Sequence, residues 1–142
     1  MDAALNILTY KDRTVTELRK KLIEKEYEAS EIDGVIEKLI EYHYLDDERY
    51  ALRYASERSS SRGARVIRME LKDKGVDESL IALAMEETGD HELDTAVRLL
   101  SGRYRDADLN DEKVRRRVYG FLARRGFSYD TISKALSYSS IC

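Results

Sequence analysis

The stretch Ile67-Arg68-Met69-Glu70-Leu71-Lys72-Asp73-Lys74-Gly75-Val76, continued by Ile81, Ala84 and Met85, decides the fold because the chain carries it three times. It superimposes without gaps on Leu18-Arg19-Lys20-Lys21-Leu22-Ile23-Glu24-Lys25-Glu26-Tyr27 with Ile32, Val35 and Ile36. It superimposes equally on Val118-Tyr119-Gly120-Phe121-Leu122-Ala123-Arg124-Arg125-Gly126-Phe127 with Ile132, Ala135 and Leu136. The offsets are 49 and 51 residues, and the shared apolar or glycine columns are broken mainly at Glu26, where the other copies have Gly. A period of this size describes stacked helical repeats, none of which can bury its apolar face alone.

Each repeat reads mechanically. Leu18/Leu22, Ile67/Leu71 and Val118/Leu122 stand at i and i+4, one stripe of a helix. Gly75 and Gly126 follow where a helix ends in the left-handed conformation, which glycine reaches without a Cβ penalty. Asp77 and Ser128 are N-cap residue types for the next helix, whose stripe comes at Ile81/Ala84/Met85 and Ile132/Ala135/Leu136. A further helix precedes each pair, over about 3–10, 46–59 and 91–104, with Asp46 or Asp47 capping the second of these. The expectation is an all-α chain of three tandem three-helix repeats, 1–45, 46–88 and 89–142. Together they form one continuous domain, an elongated, curved, right-handed helical array. Residues 59–63 and 105–111 read as connectors and flexing points.

Composition agrees. The 142 residues contain no proline where roughly seven would be ordinary, and proline is the residue that helix interiors exclude. No apolar run approaches the roughly 18 residues of a membrane span. The early Asp2 and the lack of a long apolar stretch argue against a signal peptide, and the lone Cys142 against a disulfide framework. A cytoplasmic protein is expected. Net charge is -3, but residues 1–48 carry -6, residues 49–88 carry +1 and residues 89–142 carry +2. Autonomous duplex binding normally needs a basic domain, so contact with nucleic acid should be local or assisted by a protein partner.

No catalytic constellation is present, and neither a metal nor a cofactor is expected. His43 and His91 fall in different repeats, no cysteine–histidine spacing suits zinc, and no glycine-rich phosphate loop occurs. Asp46-Asp47-Glu48 reads more simply as helix capping than as a cation site. Tyr50, Tyr54 and Tyr104 read as packing residues rather than base-stacking platforms. The arginines are the better candidates, since a planar fork suits phosphate or carboxylate. Arg65, Arg68 and Lys72 share a helix face, with Arg58 and Arg62 extending the cluster backward. Arg116, Arg117 and Arg124 form a second patch in a stretch, 113–126, without a single acidic residue.

Several segments, in order and spacing, resemble the RecX family of bacterial recombinase regulators. They are Ala4-Leu5 with Leu8, Arg13, Glu17, Leu18 and Leu22; then Leu45-Asp46-Asp47 with Tyr50-Ala51. Gly63 with Ile67, Leu71 and Lys74-Gly75-Val76, and Arg125-Gly126-Phe127-Ser128 with Ile132, complete the likeness, which covers nearly the whole chain. Two departures are His43, where members commonly have Gly, and Glu26 at the turn of the first repeat. The resemblance implies a monomer that lodges in the groove of the RecA filament on single-stranded DNA, touching the DNA indirectly or weakly. Such proteins depress ATP hydrolysis, co-protease activity and strand exchange, and so modulate DNA repair, recombination and the SOS response. A direct DNA-binding module and a generic helical-repeat adaptor are the alternatives.

Overall fold

The computed structural model describes residues 1–89 and 91–141, so Cys142 lies outside the described residues. These residues form nine α-helices and no strand. The first three are α1 (Asp2–Tyr10), α2 (Val15–Glu24) and α3 (Ala29–Glu41). The middle three are α4 (Asp47–Arg58), α5 (Ala64–Asp73) and α6 (Glu78–Thr88), and the last are α7 (Glu92–Arg103), α8 (Glu112–Arg124) and α9 (Tyr129–Ile141). The all-α helical-repeat reading is therefore correct, and each expected first helix is found to within a residue or two.

The stripes do what their spacing requires. Leu18, Leu22, Ile32, Ile36 and Leu39 close a core with Ala4 and Leu45. Val118, Phe121, Leu122, Phe127, Ile132, Ala135 and Leu136 close another with Ala96 and Leu100. In the middle repeat Ile67, Leu71, Val76, Ile81 and Ala84 are buried. The tyrosines pack as expected: Tyr50 stacks on Tyr54 at 6.1 Å, and Tyr104 meets Phe121 edge-on at 5.6 Å. Caps start the helices. Thr14 and Glu17 form a reciprocal capping box on α2, Asp46 accepts from the Arg49 N–H, and Ser128 accepts from the Thr131 N–H.

The chain packs as two compact units, 1–54 with 70–84 and 55–69 with 85–142, so α4, α5 and α6 each contribute to both. Each unit contains one junction between successive repeats, and the two junctions follow one plan. In the first, fully buried Thr14 donates its hydroxyl to the Lys74 carbonyl (2.6 Å), and the Val15 N–H donates to Asp47 Oδ1 (2.9 Å). In the second, Gly63 N–H donates to the Arg125 carbonyl (2.7 Å) and Ala64 N–H to Glu92 Oε1 (2.6 Å). Asp47 and Glu92 are the opening residues of α4 and α7. The start of one middle helix thus docks on the end of the next, and an acid from the following repeat satisfies an amide that the helix itself leaves without a partner.

This docking is why glycine recurs at the turn. A Cβ on Gly75 would lie 2.2 Å from Thr16 Oγ1, and one on Gly126 would lie 2.5 Å from Val66 Cγ2. Both also have positive φ, 83° and 94°. Glu26 occupies the same left-handed turn (φ 68°) but is exposed, so it bears only the conformational cost; His43 (φ 63°) ends α3 in the same way. Glu26→Gly is therefore expected to stabilise the chain by about 0.5–1 kcal/mol, the left-handed penalty less glycine's unfolded-state entropy. Urea denaturation checks this, and a loss of stability contradicts it.

Asp47 gives a pH-dependent prediction. Burial raises its carboxyl above the ordinary range, helped by the nearby Asp46 and Glu17 charges, although the Val15 N–H works the other way. A raised folded pKa means the contribution of this group is fullest at low pH and is lost as pH rises through that pKa. Asp47→Asn keeps an acceptor for Val15 and removes the desolvated charge. It is expected to match or exceed the parent stability at pH 7, with the advantage disappearing towards about pH 4. Asp47→Ala loses the acceptor and is expected to cost about 1 kcal/mol. Equal losses for both variants at pH 7 would refute the assignment.

The serine connector differs from expectation. Rather than flexing freely, it is fastened at successive carbonyls: Ser59 accepts from Thr95 Oγ1 (3.1 Å), Ser60 from Arg98, and Ser61 from Arg125 Nη1 (3.4 Å). A serine-rich sequence advertises turn chemistry, but not the distant donors that hold it.

Candidate partner-binding surface

The eight basic residues singled out from sequence separate into those the fold uses and those it leaves exposed. Arg58, the last residue of α4, and Arg62, in the serine connector, are half-buried, and the fold engages both. Arg65, in the first turn of α5, donates Nη2 to the Ala123 carbonyl in the last turn of α8 (3.1 Å). There a cation also complements the negative end of the helix dipole. Lys72 faces solvent beside Glu78 (3.5 Å), and Arg116 beside Glu112 one turn back (3.6 Å). Such exposed pairs contribute little and are easily exchanged for another partner. Arg68, Arg117 and Arg124 are exposed.

The bond from Arg65 to Ala123 joins the two patches that sequence spacing left apart, because Ala123 immediately precedes Arg124. On α8, Lys113, Arg117 and Arg124 follow the helical repeat on the side away from buried Val118 and Leu122. Gly120 lies between them, where an added Cβ would be 3.1 Å from Arg124 Nη1, so that guanidinium folds back over the glycine. Other arginines of this region serve packing. Arg103 and Arg125 lie against the Phe121 ring, 4.8 and 4.6 Å from its centre, and Arg115 donates to the Leu109 carbonyl (3.1 Å). These packing roles carry no sequence signal, since a bonded and a solvated arginine look alike in a helical pattern.

The surface can therefore present planar cationic groups, on helices fastened to one another, to carboxylates or phosphates. His43 and His91 belong to different compact units, and no group of three metal-ligating side chains occurs among the described residues. Nor is any described helix long and apolar enough to cross a membrane.

Family models for the first, second and third three-helix domains of RecX match residues 1–39, 46–85 and 90–136. The chain belongs to the RecX family. The regulatory protein RecX of Vibrio campbellii is 36% identical over 138 residues, 96% of this chain and 89% of that protein. That of Trichlorobacter lovleyi is 41% identical over 138 residues, 92% of this chain and 88% of the relative. The crystal structure of RecX from Lactobacillus salivarius aligns with a TM-score of 0.81 at 28% identity, covering 99% of this chain and 94% of that one. As a RecX-family chain it is a member of a group of regulatory proteins.

Proposed function

We propose that the chain regulates the RecA recombinase by binding, as a monomer, to the groove of the RecA filament on single-stranded DNA. In this reading it lowers ATP hydrolysis, co-protease activity and strand exchange, and so modulates DNA repair, recombination and the SOS response in the cytoplasm. The observation that carries the reading is the match of all three repeats to RecX domains, over nearly the full chain. The charge distribution supports it. A net charge of -3 suits a partner that is itself protein and DNA better than bare duplex, and the arginines of α5 and α8 supply the local cations.

Arg68, Arg117 and Arg124 are the contacts proposed to face the filament directly, with Lys72 and Arg116 able to leave their exposed acidic neighbours. Arg58, Arg62 and Arg65 hold the surface in shape as well as charging it. Fluorescence anisotropy of labelled chain against preformed RecA–single-stranded DNA filaments tests this reading. Saturable binding to filament, far tighter than to the same oligonucleotide alone, is expected. Equal affinity for bare DNA would favour a direct DNA-binding module instead.

A further inference from the structure

Arg13 belongs to neither of the two arginine patches. It stands just before the α2 cap, half-buried, on a groove of about 530 Å³ that is also lined by Lys20, Lys21 and Lys74. Its Nε is buried and has no hydrogen-bond partner, and among the described residues no ion pair or ring contact holds its guanidinium. A donor buried in this way normally has a partner, and leaving it without one is costly.

Several other groups in the groove are engaged. Lys74 pairs with Glu17 (3.6 Å) and lies 5.5 Å from the centre of the Tyr54 ring. Glu17 also accepts from the Thr14 N–H (3.1 Å), and Glu70 accepts from the Tyr54 hydroxyl (2.8 Å). Four carboxylates, Glu17, Glu24, Glu70 and Asp73, balance the four cations of the groove wall, and none of them pairs with Arg13. The wall therefore offers a polyanion no excess of cations to offset the net of -6 carried by the first 48 residues. A single carboxylate on a protein partner needs only one cation, and it matches the fork of a guanidinium bidentately.

We infer that the Arg13 groove is a second contact site, which receives a side-chain carboxylate from the protein component of the filament rather than a DNA phosphate. This rests on the filament-binding reading proposed above. It assigns the first repeat a role different in chemistry from the arginine surface: one acid of the partner is captured in a surrounding without the cationic excess that nucleic acid needs.

The test compares the parent chain with Arg13→Gln and Arg13→Lys, each titrated against RecA–single-stranded DNA filaments and against bare oligo-dT. Thermal melting of all three is followed in parallel. Arg13→Gln is expected to weaken filament binding at least tenfold and Arg13→Lys to weaken it less, because lysine keeps the charge but loses the fork. Affinity for oligo-dT is expected to stay unchanged and the melting temperature not to fall. Filament binding by a folded Arg13→Gln at the parent affinity would overturn the inference. So would a parallel loss on oligo-dT, which would make the groove a phosphate site. Should Arg13→Gln fail to fold, Arg13→Lys decides alone: parent-like filament affinity refutes the carboxylate fork. If the parent chain itself binds no filament, the functional reading falls first and this inference with it.

Discussion

Gly63→Ala is expected to destabilise the chain by more than about 3 kcal/mol. A Cβ there would lie 2.3 Å from the Gly126 carbonyl carbon and oxygen and 2.5 Å from the Phe127 nitrogen. All three are backbone atoms, so no side chain can turn aside. The clash would also force apart the Gly63 N–H and the Arg125 carbonyl, now bonded at 2.7 Å, and with them the second junction. Gly63 does not have positive φ, so its substitution isolates close approach from backbone strain. The matched controls are Gly34 and Gly102, helical glycines with nothing within 4 Å of an added Cβ. Alanine at either is expected to stabilise by roughly 0.5–1 kcal/mol through helix propensity alone. Urea denaturation at pH 7 compares the three. A Gly63→Ala loss below 1 kcal/mol would mean that the two repeats do not meet as closely as described.

Charge reversal of Arg68 and Arg117 together is expected to raise the concentration needed for half-maximal effect on RecA on the order of thirtyfold. Two charge-assisted contacts at about 1 kcal/mol each give that factor. These two residues are chosen because they are exposed and bear no assigned packing role, whereas Arg65 also bonds the Ala123 carbonyl. A double variant that melts with the parent but acts thirtyfold more weakly places the arginine surface against the filament. A double variant of parent potency removes both residues from the interface. The effect should also shrink as salt is raised, because it is carried by exposed charge.

Much of this architecture was legible in the residues themselves. The i and i+4 pairs marked the buried stripes, and Gly75 and Gly126 marked left-handed turns that the backbone confirms at φ 83° and 94°. The acidic pair Asp46-Asp47 marked the start of α4, where Asp46 accepts from the Arg49 N–H. What periodicity could not carry was the contact between repeats. Thr14 with Lys74, and Gly63 with Arg125, pair residues about 60 positions apart, and only the polar partner reveals why a threonine stands fully buried. Gly63 aligns with Thr14 at the repeat offset of 49, which is the faint trace of the junction left in the sequence. The candidate surface was legible in the same partial way. Helical spacing grouped Arg65 with Arg68, and it marked 113–126 as free of acids. It could not distinguish an arginine that bonds a carbonyl from one that faces water, nor foresee that Arg65 bridges the two patches.

The most direct test of the account is the single-strand-dependent ATP hydrolysis of RecA, followed while the chain is added with DNA in excess over it. Excess DNA prevents simple competition for bare strand from imitating regulation. A saturable fall in the hydrolysis rate is expected, weakened by the Arg68 and Arg117 reversals. A rate that stays constant up to a several-fold excess of chain over RecA would contradict it.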